Sequence, residues 1–293
     1  MTNLELKRHN DFLLKQNELA RKRIIQLIYR GDSLKNLCDK LNVDFNETNI
    51  DVRTLLSRLF MVGEKGQRFY TDNENFRIED SEDYVFEKIF KYYKDSAKSK
   101  NQNTIFFFER NKNLREFFTN KENKNTFITK VNEATNSEKI IIRNYYLIML
   151  HQLAAINYKK KSHFVSTSKE YKIAEKFANG KREKNRIILH CWVPIKINRE
   201  IISKFNLPIY NYHPYQYQRE FSILGGILPH FISGLELIKT GEFYPNPNIF
   251  GQDIDNSTFL NGISINQQNF QEIVSSTNYK RTLTTDGHNT WEN

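Results

Sequence analysis

Cysteine is scarce: Cys38 and Cys191 are the two in 293 residues, far apart and in no metal-ligand spacing. They read as core thiols of a reducing compartment, with no disulfide framework. Long apolar runs are missing too, and none approaches the length of a membrane span. The first residues, MTNLELKRHNDFLLKQ, lack the apolar centre of a secretory signal. These absences predict a cytoplasmic protein with no membrane partner, with delivery by a route that leaves no cleaved signal still open. The seven histidines form no HExxH and no Cys/His cluster, so no metal is expected. No Walker A, GxGxxG or GxSxG sequence occurs, which leaves little support for a hydrolase triad or a metal nuclease.

What is present is a large apolar reserve. Hydrophobic residues make up 39% and aromatics 13%, with 22 Phe and 15 Tyr, enough to build a core and to argue against global disorder. Forty-four Lys and Arg against 34 Asp and Glu give a net charge of +10. That balance suits a polyanionic partner such as RNA, DNA or a nucleotide. It is equally what heavy use of Lys and Asn throughout the chain would give, and the sequence leaves both readings open.

Along the chain, residues 3–23 predict an amphipathic helix. Residues 24–30, IIQLIYR, predict a strand broken at Gly31-Asp32-Ser33, with Ser33 capping a helix through Leu34, Leu37, Cys38 and Leu41. Helical periodicity recurs at 51–61, 83–94 and 140–158. Thr104–Phe118 carries an aromatic run. The stretch 42–158 therefore reads as a helical insert. Further on, 185–195 predicts a strand, 198–205 a short helix, 218–224 a strand, and 227–232 and 234–238 two short strands. Residues 245–293 turn polar and read as an appendage to a domain spanning 1–244.

The sharpest local signal is HFVSTSKEYKIAEKFA, residues 163–178. Phe164 and Ser166 alternate with Val165 and Thr167 as on a strand, Ser168 would cap a helix, and Ile173, Ala174, Phe177 and Ala178 recur at helical spacing. Three separated pieces then fall in order: Tyr29-Arg30-Gly31, Phe164-Val165-Ser166-Thr167-Ser168, and Gln218-Arg219-Glu220 leading into FSILGGILPHFI. In that order and context the chain resembles the arginine–serine–glutamate class of mono-ADP-ribosyltransferases, mainly over residues 24–34 and 162–240.

The resemblance implies an α+β fold with a split, mostly antiparallel β core, N-terminal and inserted helices, and NAD bound as a substrate in the cleft between half-sheets. Loss of nicotinamide puts positive charge on the ribose, as in glycoside hydrolysis. A carboxylate beside the ring stabilises it. The resemblance assigns that carboxylate to Glu220. It assigns the pyrophosphate contact to Arg30, where the alternative is a strand-end salt bridge. Gly31 would pair its backbone with the nicotinamide amide, or simply serve a turn. Ser166 would orient Glu220 or the ribose. Thr167 and Ser168 would shape the turn. Phe164 would stack on the base or fill the core.

Gln218, two residues before Glu220, would share its strand face and contact the acceptor. Arginine-modifying members of the family usually carry a glutamate there. An amide suits another amide or a base edge. Tyr210, Tyr212, His213, Tyr215 and Tyr217 precede it, and such rings either stack bases or pack on their own fold. The resemblance implies a mono-ADP-ribosyltransferase, toxin-like or defence-related, and the net charge, Gln218 and the tyrosine loop predict a nucleic acid as acceptor. The rivals are a protein-modifying transferase and a non-catalytic binding module. An inhibitory partner protein is compatible with such an enzyme.

Overall fold

The computed structural model describes residues 3–22, 25–46, 51–64, 82–96, 98, 100–153, 164–179, 185–194, 199–210, 218–224, 226–227 and 231–246. The class is α+β, as expected. The elements run α1 (Asn3–Arg21), β1 (Ile25–Ser33), α2 (Leu34–Leu41), α3 (Val52–Val62), α4 (Glu82–Ser96), α5 (Gln102–Arg110), α6 (Lys112–Thr119), α7 (Asn123–Asn132), α8 (Asn136–Leu153), β2 (Phe164–Ser168), α9 (Tyr171–Asn179), β3 (Arg186–Pro194), α10 (Arg199–Lys204), β4 (Glu220–Leu224), β5 (Ile232–Leu237) and β6 (Glu242–Pro245). The described strands join in one sheet of order β4-β2-β1-β3-β5-β6. The β1–β2, β1–β3, β3–β5 and β5–β6 pairings are antiparallel.

The described residues gather into two compact units. One draws on the described residues of Met1–Phe76, Val165–Ile195 and Phe221–Thr290; the other draws on those of Arg77–Phe164 and Lys196–Glu220. The sheet unit centres on β1 and β3, paired without a break from Ile25↔Pro194 to Ser33↔Arg186. Gly31-Asp32-Ser33 therefore continues the strand that the sequence predicts it to break. Ser33 still caps α2, accepting the Asn36 N–H, and Leu34, Leu37, Cys38 and Leu41 form its buried stripe. Asp51 caps α3, which puts Leu55, Leu59 and Phe60 into the sheet unit's core with Ile28, Leu189 and Ile223. So α3, expected to open the helical insert, belongs with the sheet.

Strand β6 has no counterpart in the sequence reading. It returns antiparallel to β5 through a turn in which Gly241 takes φ +69 and its N–H reaches the Leu237 carbonyl at 2.8 Å. The two short strands expected at 227–238 resolve into β5 and a lone bridge between Ile227 and Glu64.

The helical unit packs rings on rings. Phe118 lies 5.4, 5.6 and 5.0 Å from Phe86, Phe127 and Tyr146, between centroids. Offset and edge-on contacts of this kind add to the burial of each ring. Helix α8 supplies Tyr145 and Tyr146, whose hydroxyls bond the Tyr210 N–H at 3.0 Å and the Pro208 carbonyl at 2.8 Å.

Candidate functional site

Because side chains alternate along a strand, Arg30 and Asp32 share one face of β1 while Tyr29 and Gly31 share the other. Arg30 sits in a network of charges. Its Nη1 donates to the Ser166 carbonyl at 2.8 Å and its Nη2 to Asp32 Oδ2 at 3.2 Å, while its Nε lies 3.3 Å from Glu64 Oε1. Lys40, from α2, donates to the same two oxygens, at 2.6 Å from Asp32 and 2.7 Å from Glu64. Two cations thus share two carboxylates that are 4% and 1% exposed. For Arg30 and Asp32 burial works against the charge and the partners more than offset it. The Arg30 pKa rises, with Glu64 and Asp32 as the opposing cause. The Asp32 carboxyl is held far below its ordinary value by Arg30 and Lys40. Arg30 is thus more than the strand-end pair of the plain reading. Nη1 and Nη2 each carry a second N–H with no partner among the described residues.

On the opposite face, α9 lies directly on Gly31. A Cβ built there would stand 1.8 Å from the Ala174 carbonyl oxygen and 2.8 Å from the Ala178 nitrogen. Gly31 is therefore a strand residue and not a turn residue; it is where helix and strand backbones touch. Beside it, Glu236 Oε1 accepts from the Tyr171 hydroxyl and its Oε2 meets His190 Nε2, each at 2.7 Å. The Tyr29 ring stands edge-on to both Tyr171 and His190. Burial lowers the His190 pKa, against the pull of Glu236. Burial first, then Glu236, raises that of Tyr171.

Along β2, Tyr29 pairs with Ser168, so by alternation Ser166 and Ser168 fall on the Tyr29 face and Thr167 on that of Arg30. It is the backbone of Ser166, through its carbonyl, that orients Arg30. Thr167, buried, donates from Oγ1 to the Phe221 carbonyl and fastens β2 to β4. Ser168 accepts the Glu170 N–H at 3.1 Å and shapes the turn into α9. Phe164 is 1% exposed, with its ring 5.7 Å from that of His151. Its faces are covered, so the core reading holds and base stacking does not.

Glu220 opens β4 and is 7% exposed. His151, at the end of α8, approaches it with Nε2 3.6 Å from Oε1. Gln218 does not share a strand face with Glu220. It precedes β4, and Arg219 between them takes a left-handed φ of +47, which breaks the extended alternation. Tyr210 is buried against Tyr145, with ring centroids 4.7 Å apart, and so packs on its own fold. Tyr212, His213, Tyr215 and Tyr217 lie outside the described residues.

The sequence reading missed Asp32, Lys40, Glu64, His151, His190 and Glu236. Asp32 had a signal, since its place two after Arg30 puts both on one face. Glu64 and Lys40 come from elements that only the fold brings together. Among the described residues no cluster of three His, Cys, Asp or Glu could hold a metal, and no helix is long and apolar enough to cross a membrane. Comparison with protein-family models, with curated proteins and with solved structures found no match.

Proposed function

We propose that this chain is a mono-ADP-ribosyltransferase that transfers ADP-ribose from NAD to a nucleic-acid base, as a toxin or defence effector. One observation carries the reading. Arg30, Ser166 and Glu220, far apart in sequence, sit on β1, β2 and β4, which are consecutive in the sheet. In this reading the Glu220 carboxylate stabilises the charge that develops on the ribose as the bond to nicotinamide breaks. Nicotinamide leaves with the bonding pair. The acceptor's nucleophile bonds to the same ribose carbon and loses its proton to solvent. The outer N–H groups of Arg30, oriented by Asp32, Glu64 and the Ser166 carbonyl, offer a planar fork for a phosphate. Support for a nucleic-acid acceptor comes from the charge of +10 and the amide at Gln218.

The test is incubation of the full chain with NAD labelled on the ADP-ribose, offering RNA, DNA and lysate protein, beside Glu220→Gln. Label in nucleic acid, with nicotinamide release falling roughly 10²–10³-fold in the variant, is the expected result. Nuclease-resistant label confined to protein makes the acceptor a protein. No nicotinamide release from the wild-type chain ends the enzymatic reading.

A further inference from the structure

His151 is a buried ionisable group to which the reaction outlined above gives no part. It stands in the last turn of α8 at 4% exposure, where Leu147, Ile148, Leu150 and Leu153 are buried as well. Its Nε2 lies 3.6 Å from Oε1 of Glu220, which opens β4 and is 7% exposed. The Phe164 ring leans on the imidazole, with centroids 5.7 Å apart and planes at 52°. All three residues belong to the helical unit. We propose that His151 is a positioning residue for ADP-ribosyl transfer: as an imidazolium it keeps the Glu220 carboxylate ionised and fixed for the ribose, while Phe164 holds the imidazole in place. This inference rests on the NAD reading of the chain.

A carboxylate withdrawn from water tends to take up a proton, and an imidazolium in the same surroundings tends to lose one. Side by side, each favours the charged form of the other. The helix adds to this, because the carbonyl ends of its last turn favour a cation there. The reaction needs the anion: a protonated Glu220 would not offset the positive charge that develops on the ribose. At 3.6 Å the contact is longer than a hydrogen bond. His151 therefore supplies charge without occupying a lone pair of the carboxylate. It acts on NAD only through the acid. Phe164, too buried to serve as a platform for a base, gains a use as the wall against which the imidazole is set.

The test joins NMR to kinetics on the full chain. The His151 imidazole is titrated in histidine-labelled protein, in the wild type and in Glu220→Gln. Its pKa should fall by about one pH unit or more in the variant, where an amide replaces the neighbouring anion. An imidazole that stays neutral throughout in the wild type overturns the proposal, as does one that titrates alike in both chains. In nicotinamide release, His151→Gln should lower kcat about tenfold or more while the KM for NAD stays within about twofold, the pattern of a group that serves the transition state and not binding. An unchanged kcat overturns the proposal, as does a raised KM with kcat preserved. Should His151→Gln fail to fold, the titration decides alone. Absence of release from the wild type ends the NAD reading and this inference with it, whereas release that survives His151→Gln unchanged ends this inference alone.

Discussion

Beneath β1 the sheet unit buries Arg30, Asp32, Lys40 and Glu64 against one another, whereas the helical unit fills its centre with Phe86, Phe118, Phe127 and Tyr146. The difference matters because the two kinds of core fail differently. A ring cluster loses stability in proportion to the apolar area removed and is indifferent to proton concentration. A buried ion set depends on every member, since removing one strands another without its counter-charge. The charged core is the more fragile of the two, and it lies under the strand that carries Arg30.

The comparison is broken hardest at Glu64 and Phe118. Glu64→Ala leaves Arg30 and Lys40 sharing Asp32 alone and should cost about 3–5 kcal/mol. Replacing Lys40 and Glu64 together by Met should recover much of that loss, which chemical denaturation of the single and double variants measures. Phe118→Ala, at 0% exposure, should cost a similar ~3–5 kcal/mol, but here no second substitution of a charge restores it. Gly31→Ala forces a methyl against the Ala174 backbone and should cost about 1–3 kcal/mol, near the upper end because backbone cannot rotate away.

Acid sharpens the contrast at lower amplitude. The Asp32 pKa is depressed well below its ordinary 3.8, so its contribution is fully present above 3.8, begins to fall below it and is lost as pH approaches the depressed folded value. His190, lowered from 6.5, carries the same sign and begins to cost stability as pH drops below that value. Both groups belong to the sheet unit. Hydrogen exchange followed by mass spectrometry, from pH 7 down to about 3, should show protection lost first in peptides covering β1 and β3, with α6 and α8 retained. Loss at the same pH in both would show that the distinction is wrong. The smallest effect is expected at the exposed Lys204–Glu138 pair, where Lys204→Ala should leave the melting temperature within error.

How much of this could be read from the chain depends on how local each cause is. The helix stripes, the Ser33 cap and the β3 strand were legible because periodicity and capping are written in adjacent residues. The α+β class, which the resemblance implied, agrees with them. Gly31 was misread because a glycine after a strand looks like a turn, and nothing nearby announces that α9, some 140 residues on, will lie against it. Gln218 was misplaced because counting by two assumes extended backbone, and Arg219 departs from it. The hairpin to β6 was hidden by its polar, proline-bearing sequence. The Arg30 network escaped because Lys40 and Glu64 reach it from a helix and an isolated bridge, which no spacing rule joins. Phe164 and Tyr210 carried two uses each in the sequence, and burial decided both.

Both thiols of the protein lie in the core of the sheet unit. Cys38 is pushed up to about 11 by burial, and Cys191 is raised further by burial and the nearby Glu64. In the folded chain neither presents a thiolate to a reagent. The molecule therefore comes with a silent background for maleimide chemistry: a cysteine introduced on any exposed helix will be the one that takes a dye. Slow reaction of Cys38 or Cys191 becomes, without any engineering, a clock for how often the sheet opens.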